Sequence, residues 1–303
     1  MTRQSRCIVS ALVGLIMFPT LTFACACGCN VFTVGTRWTM PTSAGFSVSL
    51  QYNYMNQIRN WSNWQSAPAD QNEDLAIRTN FYTLGIQYLA DRDWGFMVET
   101  PIWNRFFKTT DDDGDIASVN HTSFGDIRLL GMYTGISDDM SVGLEFGLKL
   151  PTGAFHESLL DPDTQVGTGT TDLLLGAYKM GQENEWGWYV QVMWQHSLNT
   201  REEYRPGDNF DVNGGVHYDG MLSTFMIAPV LQLAGSFRGI DSGHKAESEN
   251  TGYERLYISP GLQFVASHNL VFYADLKIPI VTHVRGVQLV APALVNLAIG
   301  FRI

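Results

Sequence analysis

The chain has 303 residues and a formal net charge of −11, and 45% of its residues are hydrophobic and 12% aromatic. That length suits one large β domain or two domains of ordinary size. Nucleic-acid binding selects basic faces, so the acidic balance predicts no nucleic-acid partner. The catalytic motifs GxSxG and HExxH and the phosphate-binding P-loop are absent from the sequence, and we predict that the chain is not an enzyme.

Residues 1–24 have the pattern of a secretory signal peptide. Arg3 and Arg6 supply the positive end, an apolar run covers residues 8–18, and residues 22–24 offer a small-residue cleavage site. The run is short for a membrane-spanning helix. We therefore expect the chain to be exported to a compartment where thiols can oxidise.

Three cysteines follow directly in the stretch CACGC, namely Cys25, Cys27 and Cys29. Residues 25–43 are predicted to be a periplasmic segment. Its closely spaced thiols could bind a soft metal such as Cu(I) or Zn(II), or form one disulfide. Lipidation of Cys25, a periplasmic protein partner and a plain tether are further alternatives. No other cofactor is predicted.

Residues 44–303 show strand alternation. In GFSVSLQYNYM at 45–55, Phe46 and Val48 fall on one side and Ser47 and Ser49 on the other. Twelve such segments are predicted, near residues 44–55, 79–89, 94–103, 124–135, 140–150, 170–180, 186–197, 211–218, 223–237, 254–266, 270–281 and 293–303.

The connections between these segments alternate between long and short. The long, polar ones are residues 56–78, 104–123, 151–169, 198–210, 238–253 and 282–292. Short periplasmic turns and long extracellular loops are typical of a closed antiparallel transmembrane β-barrel in the Gram-negative outer membrane. Aromatic residues near the strand ends suit the girdles at the lipid interface. They are Tyr54, Tyr88, Trp94, Trp103, Tyr133, Trp186, Trp188 and Trp194.

Charged residues on the polar faces of the strands are predicted to line the barrel interior. Arg or Lys facing lipid at mid-depth would cost about 2–4 kcal/mol. The predicted lining set is Glu99, Asp126, Arg128, Glu145, Lys149, Asp172, Lys179, Arg255, Asp275, Lys277 and Arg302. We expect salt links within the neighbouring pairs Asp126/Arg128 and Asp275/Lys277. The pattern leaves open whether the charges line an open pore or fill the interior.

Three stretches resemble a family of Gram-negative outer-membrane proteins associated with the meta-pathway of phenol degradation. They are FGDIRLLGMYTG at 124–135, SVGLEFGLKLPTGAF at 141–155 and VGTGTTDLLLGAYKM at 166–180. The resemblance implies a barrel that passes small molecules, aromatic ones among them. We therefore expect a channel for small solutes, whether aromatic or metal-related. The alternative is a structural barrel that anchors a partner through its cysteine segment.

Overall fold

The computed structural model describes residues 40–41, 43–110, 113–158 and 160–303. The predicted signal peptide and the thiol or metal site at Cys25, Cys27 and Cys29 lie outside the described residues and stay predictions. Within the described ranges, no helix is long and apolar enough to span a membrane.

In the part of the chain that the structure describes, fifteen β-strands form one sheet. They are β1 (Gly45–Gln57), β2 (Arg59–Asn63), β3 (Gln65–Ser66), β4 (Asp74–Leu89), β5 (Trp94–Thr110), β6 (Ile116–Phe124), β7 (Arg128–Tyr133), β8 (Val142–Lys149), β9 (Asp172–Glu183), β10 (Trp186–Ser197), β11 (Asn209–Tyr218), β12 (Ile227–Arg238), β13 (Tyr253–Val265), β14 (Leu270–Val290) and β15 (Leu294–Arg302). The described helices are a 3-10 turn at Ala69–Gln71 and the short α1 at Leu222–Phe225.

Twelve of these strands close into an antiparallel barrel. The ring runs β1, β4, β5, β7, β8, β9, β10, β11, β12, β13, β14, β15, and β15 pairs back with β1. Closure removes the free sheet edges that cannot exist in lipid. The predicted fold, a closed twelve-stranded outer-membrane barrel, is confirmed. Strands β2, β3 and β6 belong to the long connections.

The alternation of apolar and polar residues along the strands gives the barrel an apolar outer surface and a polar interior. On β1 and β4, Leu50 pairs with Leu84, and the two side chains are 49% and 43% exposed. The neighbouring inward residues Asn53 and Gln87 are buried. Outward leucines continue around the wall, at Leu129, Leu144, Leu175, Leu231, Leu262 and Leu297. This apolar surface is the face that contacts outer-membrane lipid.

The end of the barrel with the short turns carries an aromatic girdle. The Trp94 ring lies 4.7 Å from that of Tyr133, and the Trp186 ring lies 4.9 Å from that of Tyr218. Both tryptophans are more than half exposed. Amphipathic rings at this level suit the headgroup region, as the sequence predicted. Trp103 differs, because it faces the lumen and packs edge-on against Phe81.

The long connections contain more strand than predicted. β5 extends to Thr110 and pairs with β6, and the predicted loop 282–292 is largely strand. β14 pairs with β15 as far as Lys277–Leu294, whereas residues 287–290 pair with β2, which follows β1. The chain therefore reverses near Gly286, whose φ is 65°. These hairpins rise beyond the lipid, so their polar composition resembles that of loops.

The predicted strand at 124–135 is interrupted at residues 125–127. β6 and β7 both pair with β5, on either side of this break. Asp126 therefore lies outside the ladder, where its carboxylate accepts hydrogen bonds from the backbone N–H groups of Gly153 and Thr168. The break thus ties the barrel wall to the connection 150–171.

The described residues of the connection 150–171, which are 150–158 and 160–171, fold inward instead of standing above the rim. Leu160 packs with Ile77, Phe107 and Leu289, and Val166 is 2% exposed. This inward-folded segment, which we call the mouth loop (residues 150–171), narrows the extracellular opening.

Candidate functional site

A cavity of about 100 Å³ occupies the outer part of the lumen, below the mouth loop. Strand residues such as Phe81, Trp103 and Arg128 form its wall, and Asp163 and Val166 of the mouth loop contribute to its cover. Both aromatic and charged side chains therefore face the same space.

Lys149 is the centre of a buried charge cluster. Its Nζ lies 3.0 Å from Asp126 Oδ2 and 2.9 Å from Asp172 Oδ2, and all three side chains are at most 6% exposed. Ser197 Oγ donates to Asp172 Oδ1 at 3.0 Å, and Thr168 Oγ1 donates to Asp126 Oδ2 at 2.8 Å. This part of the predicted lining set joins the wall to the mouth loop.

Arg128 does not pair with Asp126, so the expected link within that pair is wrong. Its Nη1 lies 3.5 Å from Glu99 Oε2 on the paired strand β5. Asp126 lies in the break before β7 and contacts Lys149, whereas Arg128 is the first residue of β7 and lies directly opposite Glu99. Cross-strand partners therefore have the better geometry.

Carboxylates from several walls surround Arg128. Glu145 on β8 and Asp211 on β11 are within electrostatic reach of its guanidinium. Gln191 Nε2 donates to Glu145 Oε2 at 2.9 Å. The lumen is thus narrow enough at this level for side chains from distant strands to interact.

Farther around the wall, the expected Asp275/Lys277 link is also absent. Asp275 Oδ2 accepts hydrogen bonds from Ser259 Oγ at 2.8 Å and Tyr273 Oη at 3.0 Å. Lys277 is 3% exposed and within electrostatic reach of Asp211. Both groups still face inward.

The remaining predicted lining residues divide between the two faces. Arg255 is buried in the lumen, with its guanidinium 4.1 Å from the centre of the Tyr253 ring. Arg302 is half-buried and lines a small cavity with Gln87.

Lys179 is exposed on the outer face of β9, and its placement in the lumen is wrong. The β9 ladders with β8 and β10 are regular, and Asp172 on the same strand is buried in the lumen. Residues seven apart on a regular strand face opposite sides, so Asp172 and Lys179 cannot both point inward. Lys179 pairs with Val142, the first residue of β8, so its amine lies close enough to the interface to reach water.

Arg105, which is not among the predicted lining residues, is 1% exposed on the inner face of β5. Its guanidinium donates to the backbone carbonyl oxygens of Thr164 and Gln165 in the mouth loop, and its Nε donates to Thr79 Oγ1 at 3.1 Å. Arg105 lies six residues after Glu99 on β5, so the two side chains face the same side of the strand, and this spacing predicts that Arg105 faces the lumen. The polar composition of residues 104–123 instead predicted a loop there.

Acidic groups from different loops meet above the cavity. Burial, together with the nearby Asp241 and Asp161, raises the pKa of Asp163 to about 7. Burial, together with Asp163, Asp161 and other carboxylates, raises the pKa of Glu247 to about 8. Burial also raises the pKa of Asp161. The packed loops therefore favour protonated carboxyl groups.

These shifts predict that the mouth loop loosens as pH rises. A carboxyl group whose pKa is raised by folding stabilises the packed state below its ordinary pKa, and that stabilisation is lost as pH rises through the folded value. For Asp163 and Glu247 the loss runs from near 4 to about 7 and 8. We expect protease cleavage within residues 150–171 to be faster at pH 8.5 than at pH 5.

A matched variant controls for the pH dependence of the protease. Asp163→Asn removes the ionisation at one of the buried positions and should reduce the pH dependence of cleavage, measured relative to an unfolded substrate. Equal pH dependence in the parent and this variant would contradict the assignment to Asp163.

Comparison with known proteins agrees with the barrel. An outer-membrane channel from Pseudomonas putida F1 has a similar structure, with a TM-score of 0.67 and 11% identity over 89% of this chain and 99% of that one. The β domain of the Bordetella autotransporter BrkA matches with a TM-score of 0.50 and 9% identity, over 86% and 100% of the two chains. At such identities the likeness concerns the fold alone. No curated protein matches the sequence.

A family model matches residues 84–285. This range runs from within β4 to the hairpin of β14 and includes the Lys149 cluster, Arg105 and the mouth loop. The chain belongs to the Phenol_MetA_deg family, whose description is the MetA-pathway of phenol degradation.

Proposed function

We propose that the barrel is an outer-membrane channel for small solutes, and that its preferred solutes are single-ring aromatic molecules with a polar substituent. The observation that carries this proposal is the cavity of about 100 Å³ inside the lumen, with aromatic and charged groups in one wall. Its size approaches the ~150 Å³ of an engineered protein cavity that binds benzene.

The polar groups of the lumen support a hydrated path. Arg128 Nε, Glu145 Oε1, Gln232 Oε1, Asp275 Oδ1 and Asn296 Oδ1 are buried and have no hydrogen-bond partner among the residues that the structure describes. Buried polar atoms of this kind are costly unless they are hydrated or bind a solute. Their positions on several strands suit a channel that exchanges water for the polar groups of a solute.

The aromatic side of the cavity supports the preferred solute class. The rings of Phe81 and Trp103 are 4.8 Å apart at an angle of 76°. Edge-to-face packing of this kind is favourable, and a planar solute ring could extend it. Arg128 offers donors to an oxygen substituent, and Glu99 offers an acceptor to a hydroxyl hydrogen.

Liposome swelling tests this function. Vesicles containing the refolded barrel should admit phenol-sized polar aromatics and exclude a disaccharide, because the cavity accommodates about one ring. Protein-free vesicles measure the direct permeation of each solute through lipid. Rates equal to those of protein-free vesicles for every solute would contradict the channel. Equal protein-dependent rates for an aromatic and an aliphatic solute of the same size would contradict the aromatic preference alone.

A further inference from the structure

A row of hydrogen-bonded polar side chains crosses the outer face of the barrel in its extracellular half. Tyr52 Oη donates to Asn80 Oδ1 at 2.9 Å, and Asn80 Nδ2 donates to Asn104 Oδ1 at 3.2 Å. Asn104 Nδ2 donates to Asn120 Oδ1 at 3.0 Å and to Thr122 Oγ1 at 2.8 Å. These five residues, which we call the polar ladder, lie on the neighbouring strands β1, β4, β5 and β6. The outer wall is therefore polar here, whereas the leucines closer to the periplasmic side make it apolar.

Two cations lie on the extracellular side of the polar ladder. Arg78 is exposed on β4, and its guanidinium lies 5.1 Å from the centre of the Phe106 ring. Lys108 is half-buried on β5, two residues beyond Phe106 and on the same face. Neither cation has an ion-pair partner among the residues that the structure describes. Both charges are therefore available to an anion.

The outer face of these four strands, which the structure describes in full, carries no carboxylate. The acidic residues of β1, β4, β5 and β6 are Asp74 and Glu99. Asp74 is buried, and Glu99 pairs with Arg128 inside the lumen. Asp113 and Asp115 lie farther out, in the turn between β5 and β6. A chain with a net charge of −11 thus presents one outer face with two cations and no acid.

The height of this face matches the headgroups of the outer leaflet. Tyr88 is exposed at the periplasmic end of β4, and Arg78 lies ten residues before it on the same face. Ten residues at about 3.3 Å each, on a strand tilted by about 40°, span about 25 Å along the barrel axis. The apolar band of an outer-membrane barrel is also about 25 Å tall. Arg78 therefore lies where the outer headgroups begin.

The rim of the barrel is not uniformly polar. Near the extracellular ends of β11 and β12, the outer face carries Phe210 and Phe237, which are 43% and 42% exposed. Their rings are 6.3 Å apart. The polar ladder and its two cations thus distinguish one sector of the wall from another, which exposure to water alone does not explain.

We propose that the polar ladder, Arg78 and Lys108 bind the phosphorylated sugar headgroup of an outer-leaflet lipid. A phosphate accepts charge-assisted hydrogen bonds from the guanidinium and the amine, and such bonds are strong. Asn120 Nδ2 donates to no acceptor within the described part of the chain, so its N–H groups can reach a sugar hydroxyl. Lipid A, a phosphorylated glucosamine disaccharide of Gram-negative outer leaflets, has this chemistry. The site faces away from the lumen and does not rest on the proposed channel function.

Lipid retention tests the two cations. The refolded barrel is purified in detergent that contains a trace of lipid A, and native mass spectrometry counts the lipid A that stays bound. The double variant Arg78→Met and Lys108→Met should retain several-fold less lipid A than the parent. Lys179→Met with Lys245→Met removes the same charge from exposed sites elsewhere and should retain as much as the parent. Equal retention by the two double variants would overturn the site.

A comparison of lipids tests the headgroup chemistry in the parent, independently of any variant. Lipid A should be retained better than phosphatidylglycerol, which has a phosphate but no sugar, and better than lipid A without its phosphates. Asn104→Leu interrupts the polar ladder and should reduce the preference for lipid A over phosphatidylglycerol. Equal retention of lipid A and phosphatidylglycerol by the parent would overturn the sugar contact, and equal retention of lipid A and its dephosphorylated form would overturn the phosphate contact.

Discussion

Replacing Arg105 with methionine should open the extracellular mouth and raise single-channel conductance several-fold. Methionine keeps an apolar stem but removes the donors to the Thr164 and Gln165 carbonyl oxygens. Hydrogen bonds from a charged group contribute about 1.5–3 kcal/mol, so their loss should release this part of the mouth loop. Recording in planar bilayers measures the conductance, and protease cleavage within residues 150–171 reports the loop itself.

Arg78→Met provides the matched control. Arg78 lies on the neighbouring strand β4, but it is exposed and its guanidinium lies over the Phe106 ring. We expect this variant to conduct like the parent. Unchanged conductance in Arg105→Met, combined with faster cleavage of the mouth loop, would show that the loop does not limit the current.

Lys149→Met should strongly destabilise the barrel. The substitution leaves the carboxylates of Asp126 and Asp172 buried without their shared cation. Removing one member of a buried ion pair costs about 3–5 kcal/mol. Urea unfolding in detergent measures the change in the free energy of unfolding.

Two variants decide whether charge is the cause. Adding Asp172→Asn to Lys149→Met should recover part of the loss, because one uncompensated charge disappears. Arg92→Met breaks an exposed pair with Asp138, where the Nη2–Oδ1 distance is 3.4 Å, and should cost at most about 1 kcal/mol. A loss in Lys149→Met no larger than that in Arg92→Met would mean that the cluster is well solvated.

The sequence predicted the barrel because period-two alternation and loop length are local properties. Successive side chains on a strand point to opposite faces, so Leu50 and Leu84 face lipid while the residues next to them in sequence face the lumen. The prediction for Lys179 is wrong because Lys179 lies an odd number of residues from Asp172 on the regular strand β9, so the two side chains face opposite sides. Local pattern also fails above the membrane, where Arg105 belongs to a strand whose composition resembles a loop.

The mouth loop could not be predicted because long-range contacts create it. Leu160 packs with Ile77, Phe107 and Leu289, which are far apart in sequence. The Arg105 guanidinium binds backbone carbonyl oxygens, and any residue type would present those. Local pattern therefore predicted most of the charged side chains that enter the lumen, but not which of them hold the mouth loop.

We propose that solutes pass through the cavity inside the barrel. Thr83 lines that cavity, whereas the adjacent Tyr82 is 43% exposed on the outer face. Each is replaced by cysteine in the background with Cys25→Ser, Cys27→Ser and Cys29→Ser, and flux is measured before and after reaction with a bulky thiol reagent. We predict that modification at Thr83→Cys blocks most of the flux and that modification at Tyr82→Cys leaves it unchanged. Full flux through a barrel shown by mass spectrometry to be modified at position 83 would contradict the claim.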